Sequence, residues 1–444
     1  MKDISLLSSQ INKINRVKIK GSVTGIKGIV VTCEGIVDFV AIGSLCKIYT
    51  NNDNEILSEV IAINESNVLL MPFKGIEGVG YGSIVEVFEH ENIIYPDESW
   101  MGRVINSLAE PLDDLGPLQL GEKQYHLHHD TMHNPQNKNK VGTKIDLGVK
   151  VIDTMISCCY GQRMGIFSGS GVGKSVLISM LTKYAKVDVK VIGLIGERSR
   201  EVKEFIEEYL GEDGLQNTVI VVTTGNESPA LRRRAAYATI TIAEYFRDQG
   251  NEVLCMLDSI TRFAMAQREI GLGAGEPPTT KGYTPSVFSE LPKIFERTGP
   301  GINGLKDITG LFTVLVEGDD QNEPISDAVR GILDGHIVLD RQIAERGMFP
   351  AVNVLRSISR AMPGCNTELE NKMIGVARQA MSTYEDMRDM IRLGVYKKGS
   401  NSEVDRAIVL NSKLENFFKQ SPEQSSSMEQ SYKLLQEITG VRDE

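Results

Sequence analysis

Arg163-Met-Gly-Ile-Phe-Ser168-Gly-Ser-Gly-Val-Gly-Lys174-Ser175-Val-Leu-Ile-Ser-Met-Leu-Thr-Lys183 decides the reading of this chain. Its centre follows the phosphate-loop pattern G-x-x-x-x-G-K-[ST], with Ser168 standing where the first glycine is usual. A strand-like run precedes the loop and a helix-like run follows it, which is the context the motif requires. Glycines let consecutive backbone N–H groups turn inward around a phosphate, and the helix N-terminus adds partial positive charge. The candidate phosphate-binding residues are therefore Gly169, Ser170, Gly171, Val172, Gly173, Lys174, Ser175 and Val176. In this geometry Lys174 reaches the β- and γ-phosphates and Ser175 offers its hydroxyl to Mg²⁺.

Three near-continuous apolar runs lie downstream: Val189-Lys-Val-Ile-Gly-Leu-Ile, Val219-Ile-Val-Val-Thr-Thr and Val253-Leu-Cys-Met-Leu-Asp258. Strands buried on both faces of a parallel sheet read this way. The stretches 201–209 and 229–247 between them have helical character, so the region from about 95 to 365 is α/β. Asp258 closes an apolar run, where a Mg²⁺ carboxylate belongs; the other reading of that residue is a helix cap. Hydrolysis also needs a group that takes a proton from water. Glu197, at the end of the 189–195 run, stands where ligands bind in α/β sheets. Spacing alone leaves open that Glu197 belongs to a surface ion-pair cluster with Arg198 and Arg200.

The flanks differ from this centre. Residues 17–90 carry short β-type runs at Val17–Ile26, Gly28–Cys33, Ile36–Ile42, Glu55–Ile63 and Asn67–Met71, separated by Gly, Asn and Asp, which suggests a small barrel or sandwich. Beyond 365, Leu369, Met373, Val376, Ala377, Ala380, Met381, Tyr384, Met387 and Ile391 recur every three or four residues, so a helix packs one apolar stripe and stops at Gly394. A second helix is expected over 402–418, and the segment from Gln420 as a loop.

The 444 residues correspond to roughly three domains. Forty-eight basic against 59 acidic side chains give a net charge of −11, which argues against a general nucleic-acid binder. No run approaches the about 18 apolar residues of a membrane span, and the start lacks a signal-peptide stretch. Six cysteines without a C-x-x-C spacing read as reduced thiols in a cytosolic protein. His126, His128, His129 and His133 lie in a polar stretch without Cys or an ordered helix, and read as a solvated linker rather than a zinc site.

Together these residues resemble the catalytic subunits of rotary-type hexameric ATPases. Pro350-Ala-Val-Asn353-Val-Leu-Arg-Ser357-Ile-Ser359 matches that family's signature P-[SAP]-[LIV]-[DNH]-x-x-x-S-x-S at every fixed position. Gly102-Arg-Val-Ile-Asn-Ser-Leu-Ala-Glu-Pro-Leu-Asp is similar to the segment that opens the family's nucleotide domain. Within the family the chain is most similar to ATPases of type III protein export. That likeness rests on Asp258-Ser-Ile-Thr-Arg-Phe-Ala-Met-Ala-Gln-Arg-Glu-Ile-Gly, on the stretch Gly275–Phe288 and on Val316–His336. The wording Thr-Lys-Gly-Tyr-Thr-Pro-Ser-Val-Phe looks flagellar rather than injectisomal.

The resemblance implies a RecA-like P-loop ATPase core between an N-terminal β-barrel and a C-terminal α-helical domain, over 95–365, 1–94 and 366–444. It implies catalytic roles for Lys174, Glu197 and Arg198, a supporting role for Glu201, and an arginine finger at Arg360 that serves the neighbouring subunit. Phe349 matches an aromatic, usually Tyr, that packs on adenine, and Tyr396 is expected to close the base pocket. Asp258 and Ser175 are expected at Mg²⁺, with ATP as substrate. A homohexamer, a central stalk protein, a stator-like regulatory subunit, an export gate and chaperone–cargo complexes are the expected partners, without nucleic acid. The segment from Met1 to about Lys13 reads either as a frayed terminus or as a contact for the stator-like partner. The expected location is cytoplasmic, peripheral to the inner membrane. The competing readings are an injectisome ATPase, the catalytic subunit of a proton-coupled synthase, and an RNA-dependent translocase. The acidic balance and the lack of a basic, aromatic-rich surface in 17–90 argue against the last.

Overall fold

The computed structural model describes residues 17–52, 54–89, 92–128, 138–302, 304–316 and 323–442. The segment Met1–Lys13 lies outside them, as do His129 and His133.

The N-terminal runs close into a six-stranded antiparallel barrel. Its strands are β1 (Lys20–Lys27), β2 (Val30–Glu34), β3 (Leu45–Tyr49), β4 (Glu55–Ile63), β5 (Val68–Pro72) and β6 (Ile84–Glu89), in the order β1-β2-β5-β4-β3-β6. Alternation along each strand puts Val23, Val31, Ile48, Val60, Leu70 and Val85 inside. The apolar run Ile36–Ile42, expected as a strand, is a 3₁₀ turn at Val37–Phe39 instead. Ile36 is buried there and Phe39 and Ile42 are exposed, so the run plugs one end of the barrel without joining its ladder. β3 and β6, which complete the ladder, were not distinguished from their surroundings by sequence.

A short ribbon of β7 (Ile93–Ile94) and β9 (Tyr125–His126) leads into the central sheet. Its strands are β8 (Val104–Asn106), β10 (Arg163–Ser168), β11 (Val189–Glu197), β12 (Thr218–Thr224), β13 (Val253–Asp258), β14 (Ile308–Leu315), β15 (Gly335–Val338) and β16 (Ile358–Ser359). The order is β16-β15-β10-β14-β13-β11-β12-β8, parallel except for β16. β10, β11, β13 and β14 are buried along almost their whole length, as their apolar composition requires.

The two faces of the sheet are covered by different helices. Pro229–Asp248, Ile260–Gly273 and Pro285–Glu296 pack on one face through Ala236, Ile240, Phe263 and Phe295. On the other lie Lys174–Tyr184 and the C-terminal helices Glu368–Arg392, Ser402–Phe418 and Met428–Thr439. Thr367 with Glu370, and Ser427 with Gln430, form capping boxes that start two of these helices. The stripe on Glu368–Arg392 is buried at Met373, Ala377 and Ala380, whereas Met390 and Leu393 at its far end are exposed.

The barrel is fastened to the sheet domain by polar and apolar contacts together. Arg233 donates to Glu59 at 2.6 Å, both buried, and Val30, Ile61 and Met71 pack with Ala230 and Ile270. The histidine stretch is less solvated than its composition suggests. His126 belongs to β9, and the ring of His128 rests on Tyr237 with centroids 4.1 Å apart. No cluster of metal-ligating side chains occurs among the described residues. No helix among them is long and apolar enough to cross a membrane.

Candidate active site

β10 ends at Ser168 and the helix Lys174–Tyr184 begins six residues later. Gly171 and Gly173 turn the intervening loop with φ of 76° and 89°, a region that side chains with a Cβ disfavour. No side chain caps the helix, so its first N–H groups stay available to an anion. The Ser168 side chain is buried and its Oγ has no hydrogen-bond partner within the protein.

The neighbouring strands deliver acids to this loop. β11 ends in Glu197 and β13 ends in Asp258, both at the C-terminal edge of the sheet. Lys174 Nζ lies 3.3 Å from Glu197 Oε1 and also contacts Asp258 Oδ1. Thr313 Oγ1 on β14 donates to Asp258 at 2.6 Å, fixing the carboxylate from the far side. Burial works against the Lys174 ammonium, but the charges of Asp258 and Glu197 outweigh it and hold its pKa above the ordinary value. Burial raises Glu197, and Asp258's charge adds to the rise against the pull of Lys174. Glu197 is therefore a stronger base than an exposed glutamate.

A cavity of about 680 Å³ opens over these groups, lined by the phosphate loop with Lys174, Ser175, Val176, Glu197, Arg198 and Glu201. Arg198 is exposed to it and reaches Glu201 at 3.4 Å. Phe349 comes to the loop from a distant segment. A Cβ added to Gly173 would stand 3.3 Å from its ring, and 43% of Phe349 is exposed. Two candidates are not brought to this cavity. Arg360 is exposed just past the edge strand β16, its own N–H tied to Asp334 O. Tyr396 spends its hydroxyl on Asn401 O and Asp405 Oδ1 between two C-terminal helices.

Several lining residues carried no local signal. Tyr209, on a π-helical turn at Phe205–Leu210, and Arg262, Met265 and Arg341 reach the cavity only through the fold. Thr313 was invisible because its strand was not resolved by pattern. The donors fit a nucleotide with a divalent ion. A hydroxyl at Ser175 and a carboxylate at Asp258 leave coordination places that phosphate oxygens and water complete, as is usual for Mg²⁺. The unpartnered Ser168 Oγ adds a hydrogen-bonding group beside the loop.

Comparison with known proteins gives the same reading over the whole length. Residues 148–359 match the ATP synthase alpha/beta family, nucleotide-binding domain, and residues 23–87 match its beta-barrel domain. A flagellum-specific ATP synthase of Caulobacter vibrioides is 50% identical, over 97% of this chain and 98% of the relative. The chain belongs to the flagellum-specific ATP synthases of the ATP synthase alpha/beta family. The Bacillus subtilis member is 45% identical over 95% of each chain. Residues 367–437 match the T3SS EscN ATPase C-terminal domain. The assembled ATPase EscN of the enteropathogenic E. coli type III secretion system superposes with a TM-score of 0.88 at 38% identity, covering 94% of this chain and all of EscN. EscN in complex with its central stalk EscO gives 0.85 at 37% identity, with the same coverage. This ATPase is thus a P-loop enzyme whose hydrolysis of ATP energises type III protein export.

Proposed function

We propose that the chain hydrolyses ATP at sites completed by a neighbouring copy in a homohexameric ring, driving export of flagellar components. The observation that carries this reading is the division of the catalytic groups. Lys174, Glu197 and Asp258 converge on one phosphate loop, while Arg360 stands exposed outside the cavity they line. Lys174 and the loop N–H groups hold the β- and γ-phosphates. Glu197 orients the attacking water and accepts its proton. Arg198 faces the same cavity as a second cation, and Arg360 of one copy meets the γ-phosphate of the next. Such fingers are worth roughly 10³–10⁵ in rate. Ser175 and Asp258 would hold Mg²⁺, which when bound neutralises charge on the phosphate oxygens. Phe349 offers its ring face to the adenine, and the assignment of Tyr396 to the base pocket requires movement of the helical domain.

The three units are proposed as 1–94, 95–365 and 366–444, the barrels joining the ring and the helical ends meeting a central stalk. EscN and its stalk EscO support that arrangement by likeness. A stator-like subunit, an export gate and chaperone–cargo complexes complete the partners, at a cytoplasmic site peripheral to the inner membrane. Relatives at 40–50% identity carry the flagellar name, against 37–40% for the injectisome structures, which favours the flagellar reading.

The test is Mg-ATPase activity of this chain alone against its own concentration. Specific activity that rises steeply and saturates supports the self-completing ring. Activity that stays negligible until a second subunit type is added supports a proton-coupled synthase instead.

A further inference from the structure

Two of the six cysteines meet across the junction between the nucleotide-binding core and the helical domain. Cys159 is fully buried in the turn that leads into β10. Its N–H accepts no strand partner and is tied to Gln162 Oε1 at 3.0 Å. Cys365 is half-exposed in the turn between Arg360 and the helix Glu368–Arg392, with its own N–H on Ala361 O at 3.0 Å. The two thiols are in hydrogen-bonding contact. Cys159 belongs to the core and Cys365 opens the helical domain, so the pair spans 206 positions of sequence at one point in space.

The surroundings separate the two sulfurs chemically. Lys144 and Cys159 face Cys365 from the core, and Glu370 and Tyr432 from the helical domain. Lys144 is ion-paired to Glu370 at 2.7 Å and lies 4.4 Å from the centre of the Tyr432 ring, which fixes its charge beside the pair. The hydrogen bond from Cys159, and the Lys144 charge, bring Cys365 down to about 7 against burial and Glu370. The same hydrogen bond, with burial, pushes Cys159 well up. Cys158 next to it is buried and also raised, chiefly by desolvation, and Cys33, Cys46 and Cys255 are raised in the same way. A thiolate that is partly exposed, beside a lysine and touching a protonated thiol, is the arrangement of a reactive cysteine with its resolving partner.

We propose that Cys159 and Cys365 form a hydroperoxide-sensitive dithiol whose oxidation closes an intrachain disulfide between the core and the helical domain. The Cys365 thiolate attacks the terminal oxygen of a hydroperoxide, the O–O bond breaks, and the leaving oxygen takes up a proton, giving Cys365 sulfenic acid. Cys159 sulfur then attacks the Cys365 sulfur. The S–O bond breaks, and the departing hydroxide takes the Cys159 proton as water. Two thiols lose two electrons and two protons, and the peroxide is reduced to two hydroxyl products. The bond would join the start of the helix Glu368–Arg392 to the turn that feeds the phosphate-loop strand.

The test is peptide mapping of the reduced, full-length protein after stoichiometric hydrogen peroxide and rapid alkylation of the remaining thiols. A Cys159–Cys365 disulfide as the main oxidised product is expected, reversed by a dithiol reductant. In the Cys159→Ala variant, Cys365 should instead accumulate as sulfenic and higher acids. Alkylation of Cys365 in the reduced wild type should show a midpoint near pH 7, against about 8.5 for an ordinary thiol. All six thiols remaining alkylatable, or Cys365 oxidised while Cys159 stays free in the wild type, would overturn the proposal. None of these readouts depends on ATP turnover, so failure here leaves the ring mechanism to its own test.

Discussion

Lys174 Nζ stands 3.3 Å from Glu197 Oε1, joining the phosphate loop to the end of the adjacent sheet strand β11. The contact pairs the residue that holds phosphate with the residue that takes the water's proton. Replacing Glu197 by Gln keeps the shape and removes the base. Turnover is expected to fall by about 10²–10⁴ while ATP still binds, as read by phosphate release and by titration of a fluorescent nucleotide. Equal loss of both would place Glu197 in binding.

The same carboxyl predicts a pH dependence. Glu197 acts ionised, and burial together with the Asp258 charge raises its pKa. As pH falls, Glu197 protonates earlier than an exposed glutamate near about 4.3. The acid limb of the kcat profile is expected above that value. A limb at the ordinary carboxylate position, measured with the protein still folded, would contradict this.

Phe349 and Gly173 set a third expectation. A Cβ at Gly173 would crowd the ring at 3.3 Å, and the backbone there has φ of 89°. Gly173→Ala is expected to weaken nucleotide binding on both counts, with strain of about 1–2 kcal/mol from the left-handed backbone alone. Phe349→Tyr keeps the stacking face and should preserve affinity. Phe349→Ala should lose about 1–3 kcal/mol, the range of base–aromatic stacking. Equilibrium titration of ATP against each variant decides it.

The junction of barrel and core yields a stability prediction. Arg233 and Glu59 are 2.6 Å apart, with side chains 10% and 1% exposed. Removing one partner leaves a buried charge, so Glu59→Ala is expected to cost about 3–5 kcal/mol. Replacing both by apolar residues of similar volume should recover most of that loss. Denaturant midpoints of the single and double variants test it.

What could be read in the sequence was what is local. The phosphate loop, the acid after an apolar run at Asp258 and the helix stripe ending at Gly394 depend on spacing within a few residues. Ile36–Ile42 misled because an apolar run that plugs a barrel has the composition of a strand but not its pairing. β14 was missed although it lies at the centre of the sheet, and with it Thr313, which secures Asp258. Arg341 and Tyr209 were out of reach for a different reason. Each belongs to the cavity only because separate segments fold over one loop, and nothing in their neighbours' sequence marks that.

The most direct test of the central claim mixes two inactive variants. Glu197→Gln lacks the base but keeps its finger, and Arg360→Ala lacks the finger but keeps its base. Each alone should bind ATP and turn over little. Mixed rings contain interfaces where an intact Glu197 meets an intact Arg360 from the next copy, so ATPase activity should reappear on mixing and peak near equal proportions. Activity that stays at the level of the separate variants, in rings shown to contain both, would contradict a finger acting between subunits.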